Sequence, residues 1–153
     1  MSITRHPLFD DPRSIAPAPL DEALVARLET SFRGLAAKAD ALVERFYGRL
    51  FRREPGLRAM FPTDMAAQKV KLVDTLAFVV GNLRAPDKVL PRLKELGASH
   101  AGYGARAGHY PIVCEELLGA MAETAGETWD EDTGREWGRA LALVSAAMLS
   151  GAN

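Results

Sequence analysis

The helical spacing of the apolar residues is the feature that most constrains the fold of this chain. From Leu20 onward, large apolar side chains recur every three or four residues, which places them on one face of successive α-helices. No segment alternates apolar and polar residues over a convincing length, as a half-buried β-strand would. The sequence therefore predicts an all-α protein of about seven helices. The apolar stripes are Leu24, Leu28, Phe32 and Leu35; Leu42, Phe46 and Leu50; Leu72, Leu76, Val80 and Leu83; Val113, Leu117 and Met121; and Trp137, Leu141, Val144 and Met148.

Prolines and acidic residues indicate where these helices begin and end. Asp21 and Glu22 suit a helix N-terminus, because negative charge is favourable there. Proline ends or redirects a helix, except in the first turn, where it is tolerated. Several long helices joined through short ones suggest a shell around a ligand more than an up-down four-helix bundle. Helices are expected from about Leu20, over 39–54, 64–83, 87–101 (one or two short helices interrupted by Pro91), 111–126 and 130–149, with a short helical turn at 56–62 and a loop at 102–111.

Length and composition predict one folded domain with an extension before it. The chain has 153 residues, 48% of them hydrophobic, which is enough for a sizeable core without disulfides. Four of the nine prolines fall within the first 20 residues. We therefore expect residues 1–19 to form a proline-rich N-terminal extension and residues 20–153 to form the domain.

The charge balance and the lone cysteine exclude several classes of partner. The 19 basic and 20 acidic residues are interspersed and give a net charge of −1, which argues against nucleic acid or an acidic membrane as the main partner. Cys114 has no second cysteine to pair with and is expected to be a small, buried apolar residue. No secretory signal and no run of 18 apolar residues occurs, so a cytoplasmic location without a membrane span is expected.

Common catalytic motifs are absent from the sequence. There is no GxSxG, no HExxH, no calcium-binding loop and no phosphate-binding loop following a strand. Ser99 precedes His100, but adjacent residues on a helix do not face each other. His100 itself stands among Ala, Ser and Gly with no nearby metal-ligating partner, so a structural histidine and a ligand of a large group are both open.

Five residues in a fixed order favour the second interpretation. They are Tyr47, Phe61, Gln68, His100 and Tyr110, within the segments FYGRLFRREPGLRAMFP, DMAAQKVKLVDTLAFVVGNL and LKELGASHAGYGARAGHYPIV. Over roughly residues 20–150 the chain resembles the globin family. In detail it is similar to the single-domain bacterial globins related to the haem domain of flavohaemoglobins.

The resemblance implies a haem b (iron protoporphyrin IX) cofactor with His100 as the proximal ligand of the iron. It implies that Phe61 wedges against the porphyrin and that Tyr47 and Gln68 project into the distal pocket. Leu72 would lie over the iron, and Lys71 near a haem propionate. The other residues that the resemblance places in contact with the cofactor are Leu96, Tyr110, Val113, Leu117 and Trp137.

Taken singly, these residues have ordinary structural explanations. Tyr47 and Gln68 could hydrogen-bond at a helix seam, Phe61 could be a core residue, and Lys71 could be solvated. Leu72, Val113, Leu117, Trp137 and Leu141 are expected in the core with or without a cofactor. The other two histidines, His6 and His109, are expected to be exposed to solvent.

Two departures from the related haem domains affect the expected chemistry. A glutamate late in their last helix is replaced here by Ala152, so we expect His100 to donate to a backbone carbonyl, that of Leu96, instead of a carboxylate. The chain ends at Asn153, so reduction of the iron is expected to need a separate reductase.

Four functions remain open at this point. Reversible binding or transport of dioxygen, with CO and NO as further ligands, is the primary expectation. A nitric oxide dioxygenase working with a separate reductase would use the same distal residues. A haem-based gas sensor and a haem-free helical interaction module are the remaining possibilities.

Overall fold

The computed structural model describes residues 21–152, and every regular element in that range is helical. The predicted all-α class is therefore confirmed. The expected extension of residues 1–19, with His6, lies outside the described residues. The elements are α1 (Glu22–Ala36), α2 (Ala39–Arg53), a 3₁₀ helix (Pro55–Met60), α3 (Ala66–Gly81), α4 (Pro86–Gly102), α5 (His109–Ala125), a second 3₁₀ helix (Gly126–Thr128) and α6 (Glu131–Gly151).

Side-chain caps fix the start of the first and last helices. The Asp21 carboxylate accepts the backbone N–H of Leu24 at 2.7 Å, and that of Asp130 accepts the N–H of Thr133 at 2.8 Å. Both bonds satisfy donors that a helix N-terminus leaves unpaired. The acidic residues therefore mark these helix starts as the sequence predicted.

The expected interruption at Pro91 is wrong. Residues Pro86–Gly102 form one helix with Pro91 inside it. Proline removes one backbone donor, here the one that would pair with the carbonyl of Asp87 in the exposed first turn, where solvent can satisfy it. Val89 and Leu93 are buried on either side of Pro91, so packing holds the helix together.

The fifth helix begins earlier than expected, and His109 is not a free loop residue. α5 starts at His109, two residues before Pro111. The His109 side chain is half-buried, and its Nδ1 accepts the backbone N–H of Arg106 at 2.9 Å. This bond orders the end of the loop that joins α4 to α5.

The buried apolar side chains form two clusters. The main cluster joins α1, α2, α3, α5 and α6 and contains Trp137, Leu28, Leu35, Leu42 and Leu50, each of which is almost inaccessible to solvent. The second cluster joins the end of α3 to α4 and α6; its buried members are Val79, Val89, Leu93, Ala147 and Met148. The buried apolar interior is thus divided into two clusters, and α4 packs on the smaller one.

The interspersed charges become ion pairs between helices. Arg84 binds both Glu22 and Glu29 of α1, and Arg27 of α1 pairs with Glu136 of α6. On another face, Arg49 and Arg53 of α2 bind acidic residues of α5, namely Glu115, Glu116 and Glu123. Exposed pairs of this kind each add little to stability, so they accompany the helix packing that the apolar clusters provide.

Candidate functional site

His100 lies in the last turn of α4, and one of its two ring nitrogens is hydrogen-bonded within the helix. Its Nδ1 is 2.8 Å from the carbonyl oxygen of Leu96, one turn earlier. Because a carbonyl can only accept, Nδ1 carries the proton in this bond, and in the neutral imidazole the lone pair is then on Nε2. The expected hydrogen bond to Leu96 is therefore present. A neutral imidazole with a free Nε2 is the form that ligates a metal.

A close helix crossing holds α4 in place. A Cβ atom on Gly97 would come within 1.8 Å of the Met148 carbonyl oxygen, and one on Gly151 within 2.1 Å of the Lys94 carbonyl oxygen. Glycine at these two positions lets the backbones of α4 and α6 touch. Since Gly97 and Lys94 lie one and two turns before His100, this crossing fixes the position of the imidazole.

Several apolar side chains of α3, α4 and α5 are only partly buried. Leu72 of α3 and Val113 of α5 pack on the main cluster, whereas Leu96 of α4 and Tyr110 of α5 pack on the second. All four are half-buried, and so is His100. Incomplete burial of apolar side chains in both clusters leaves apolar surface of the kind that a large apolar group covers when it binds.

The phenol of Tyr47 is the main polar group on the α2 side of this region. Tyr47 is buried, and the Gln68 amide Nε2 donates to its oxygen at 3.4 Å, a long hydrogen bond. Burial raises the pKa of Tyr47, an effect that the Gln68 hydrogen bond partly offsets. The hydroxyl is therefore protonated at neutral pH, and because its oxygen accepts from Gln68, its own proton is available to another acceptor.

Aromatic rings hold Tyr47 in position. Its ring centroid is 5.8 Å from that of Phe51 and 5.7 Å from that of Phe61, and the Phe51 and Phe61 rings meet edge to face at 5.3 Å. Such tilted and offset contacts are favourable arrangements for aromatic rings. Phe61 thus touches Tyr47 from the segment between the 3₁₀ helix and α3, so the two predicted residues come together.

The Tyr110 hydroxyl is buried and has no hydrogen-bond partner among residues 21–152. Burial is the main cause that raises the pKa of Tyr110, so this group is also neutral. A buried polar atom without a partner is costly and rare in folded proteins. One turn further along α5, Cys114 is buried with its Sγ 3.1 Å from the Ser145 hydroxyl, so its expected burial is confirmed.

The remaining predicted contacts of the cofactor differ in their surroundings. Lys71 is exposed, and Leu117 is buried in the main cluster. Trp137 is also in that cluster, where its Nε1 donates to the Ser31 hydroxyl at 2.9 Å and its ring meets Phe32 of α1. These are the contacts of a residue that packs α1 onto α6, and contact of Trp137 with a porphyrin stays a prediction.

Three residues that shape the site were not singled out from the sequence. Gly97 and Gly151 were missed because glycine inside a helix has many explanations until its neighbour is known. Arg58, within the segment GLRAMFP, donates to three backbone carbonyls just after it. The only sequence signal for Arg58 was its position just before Phe61, and an arginine without any structural role could stand at the same position.

Comparison with known proteins agrees with this architecture. The sequence model of the globin family matches residues 44–148. The flavohemoprotein of Bacillus subtilis is 24% identical over 133 residues, which are 85% of this chain and 33% of that protein. The flavohemoprotein of Chromobacterium violaceum is 30% identical over 112 residues, 71% of this chain and 28% of that protein. A bacterial globin from Campylobacter jejuni has a solved structure that superposes with a TM-score of 0.76 at 19% identity, covering 86% of this chain and 96% of that one.

The chain belongs to the globin family, and its fold is the globin fold. More particularly, it is a bacterial globin related to the haem domain of flavohaemoglobins, as the motifs around Tyr47, Gln68 and His100 predicted. The chain spans about a third of the length of the curated relatives that it matches. Membership of the globin family gives the chain its general function, haem-based binding of diatomic gases. Within residues 21–152, no helix combines the length and the apolar character needed to cross a membrane.

Proposed function

We propose that this globin holds haem b through Nε2 of His100 and binds dioxygen reversibly on the opposite side, next to Tyr47 and Gln68. The observation that carries the proposal is the hydrogen bond from His100 Nδ1 to the Leu96 carbonyl, which commits one nitrogen and leaves Nε2 as a lone-pair donor. When bound, haem would supply an iron that His100 would hold and that can take up a small gas. Phe61, Leu72, Leu96 and Val113 supply the apolar lining, and CO and NO are further ligands of the same site.

The residues of the chain fit this cofactor. The half-buried apolar side chains leave apolar surface that a large apolar cofactor would cover. Tyr110, whose buried hydroxyl has no partner among the described residues, packs on the same cluster as Leu96 and would lie beside that cofactor. Lys71 is exposed on α3 and is proposed to meet a propionate, since an ammonium group pairs with a carboxylate at a surface. Leu117 is proposed to support the lining from the main cluster.

Tyr47 and Gln68 are proposed to retain the gas. A diatomic ligand that gains partial negative charge accepts a hydrogen bond, and Tyr47 has a proton to donate because Gln68 already satisfies its oxygen. The bond is stronger in a buried, apolar setting than in water. Retention of about 1–3 kcal/mol corresponds to a roughly tenfold to hundredfold slower dissociation.

The acceptor of the His100 proton favours binding over oxidative chemistry. A carboxylate at this place would make the imidazole more basic, whereas a neutral carbonyl does so less. The Leu96 carbonyl therefore supports reversible storage or delivery of dioxygen over nitric oxide dioxygenation with a separate reductase.

The decisive test is the absorption spectrum of the purified chain reconstituted with hemin, reduced, and exposed to dioxygen and then CO. We expect a Soret band, with reversible shifts as each gas binds and leaves. His100→Gly is expected to lose stable haem and to regain it when free imidazole is added, because the substitution leaves a space for that ligand. His109→Ala is the matched control and should keep haem. A wild-type chain that stays colourless with hemin, or a His100→Gly variant that binds haem normally, would contradict the proposal.

A further inference from the structure

The Arg58 side chain donates hydrogen bonds to three consecutive backbone carbonyls at the turn that contains Phe61. Its guanidinium donates to the carbonyl of Phe61 at 3.4 Å, of Pro62 at 2.9 Å and of Thr63 at 3.0 Å. These carbonyls lie between the 3₁₀ helix and α3, where no helix supplies backbone partners. One planar side chain with several fixed donors can bind carbonyls that point in different directions, which a single ammonium group cannot.

The same guanidinium also reaches the aromatic group around Tyr47. Its central carbon, Cζ, lies 5.5 Å from the centroid of the Phe51 ring, within the range of a cation–π contact. Phe51 in turn touches both Tyr47 and Phe61. Arg58 therefore contacts the backbone of Phe61 from one side and the ring that supports Phe61 from the other.

This arrangement connects a half-buried charge, that of Arg58, to the buried ring of Tyr47 through two steps. Phe61 is half-buried and lies in a non-helical segment, where its N–H donates to the Arg58 carbonyl at 3.1 Å and its carbonyl accepts from the Arg58 guanidinium at 3.4 Å. Its ring packs against the ring of Tyr47 at 5.7 Å. A shift of the segment would move Phe61, and the ring that carries the Tyr47 hydroxyl would then lose one of the rings it packs against. Small displacements at such a position are expected to matter, because a hydrogen bond is steeply dependent on its geometry.

We infer that Arg58 is a positioning residue: by holding the carbonyls of residues 61–63 and the Phe51 ring, it fixes Phe61 and so aims the Tyr47 hydroxyl at the gas. This inference rests on the proposed function, since it deepens the role of the distal side. Arg58 does not touch the gas itself. Its contribution is to the order of the segment and, through Phe61, to how well Tyr47 donates.

Three variants of the full chain separate this role from a general effect of losing a surface charge. Arg58→Met keeps the aliphatic length and removes all donors, and Arg58→Lys keeps the charge with a single donor nitrogen. Arg52→Met is the matched control: Arg52 is exposed on α2, and its side chain makes no hydrogen bond within the described range. The control reports what loss of one exposed arginine does by itself.

The first measurement uses the hemin-free chain and does not depend on gas binding. Amide hydrogen exchange of peptides covering residues 60–66 is expected to speed up about tenfold in Arg58→Met, since exchange follows local opening. Arg58→Lys should lie between that variant and the wild type, and Arg52→Met should match the wild type. Equal exchange in Arg58→Met and wild type would overturn the inference.

The second measurement reads the distal side in the hemin-loaded chain. The infrared stretching band of bound CO should shift or split in Arg58→Met, and dioxygen should dissociate about three- to tenfold faster, with partial recovery in Arg58→Lys. An Arg58→Met variant that melts at a lower temperature but keeps the wild-type CO band and dissociation rate has lost only stability, which would overturn the inference. If the wild type itself takes up no hemin, the proposed function fails, and the exchange result alone decides whether Arg58 orders the segment.

Discussion

His100 and Tyr47 have different tasks that follow from different neighbours. The imidazole is held by a backbone carbonyl 2.8 Å away, whereas the phenol accepts a long hydrogen bond from an amide and keeps its own proton. The sequence could predict the pairing of His100 with Leu96, because a residue one turn earlier on a helix supplies a nearby carbonyl whose second lone pair can accept the imidazole proton. It could not predict the hydrogen bond from Trp137 to Ser31, since that bond depends on how α1 crosses α6.

Removing the Tyr47 hydroxyl tests the distal assignment directly. We expect Tyr47→Phe to speed dioxygen dissociation roughly tenfold to a hundredfold while haem retention is unchanged, because the ring still packs on Phe51 and Phe61. Stopped-flow displacement of dioxygen by CO measures the rate. Tyr103→Phe, at a position 74% exposed, is the control and should behave as wild type. An unchanged rate in Tyr47→Phe would show that another group retains the gas.

The buried thiol gives a pH dependence whose sign can be stated. Burial raises the pKa of Cys114 from an ordinary 9.0 to about 11, with the Ser145 hydrogen bond acting in the opposite sense. The folded chain therefore binds this proton more tightly than the unfolded chain. The resulting stability is fully present below about pH 9 and is lost as the pH rises to about 11.

Comparison with Cys114→Ser isolates that titration, since a serine hydroxyl does not ionise in this range. Between pH 8 and 10.5, the free energy of unfolding in urea should fall by up to roughly 2 kcal/mol more in the wild type than in the variant. Parallel pH profiles would mean that Cys114 has an ordinary pKa in the folded chain. The same burial predicts slow alkylation of the native protein by iodoacetamide.

Helix α4 shows what a sequence can and cannot predict about an element. The sequence predicted helix over residues 87–101 with a break at Pro91, and the structure shows one helix, on which Val89 and Leu93 are buried. The break does not occur because proline near an exposed helix start sacrifices one hydrogen bond, and the packing of α4 on α6 compensates for it. Local rules therefore predicted that this segment is helical, and the outcome at Pro91 depended on a partner helix far along the chain.

Gly97→Ala tests whether the crossing of α4 and α6 fixes the imidazole. The added methyl would meet the Met148 carbonyl, so the helices must separate, and we expect a loss of about 1–3 kcal/mol or more in the free energy of unfolding. Faster transfer of haem to an excess of acceptor protein should accompany the loss, since His100 follows one turn later.

Gly102→Ala is the control on the same helix. Apart from its chain neighbours and its own helix backbone, no atom lies within 4 Å of the position that its Cβ would take. The free energy of unfolding should therefore stay within about 1 kcal/mol of wild type, and the rate of haem transfer should match wild type. Equal behaviour of the two variants would show that the crossing is looser than the structure has it.

At the scale of the molecule, two clusters of unequal size share one interior. Half-buried Leu72 and Val113 belong to one, and half-buried Leu96 and Tyr110 to the other. An all-α shell was predictable from apolar periodicity alone. The division between clusters was not, because it depends on how α3 and α4 diverge from their connection near residues 82–85.

A cofactor that joins the two clusters should stabilise the whole fold. Ligand binding to the folded state adds about 4 kcal/mol when the free ligand is 1,000 times its dissociation constant. We therefore expect a large rise in melting temperature when hemin is added to the hemin-free chain, measured by circular dichroism at 222 nm. The rise should be much smaller for His100→Gly. Equal rises in both proteins would indicate that hemin binds to the surface without the imidazole.

The contact of backbone on backbone at Gly97 and Gly151 makes the two walls of the pocket mechanically unequal. On the side of the imidazole, the backbones of α4 and α6 touch at Gly97 and Gly151, where a larger residue has no room, so these two positions tolerate little sequence change. The Tyr47 side is instead held by separate side chains, the rings of Phe51 and Phe61 and the guanidinium of Arg58. Each of these can be substituted without the others. Tuning of gas affinity, by selection or in the laboratory, should therefore accumulate on the Tyr47 side while the His100 side stays constant.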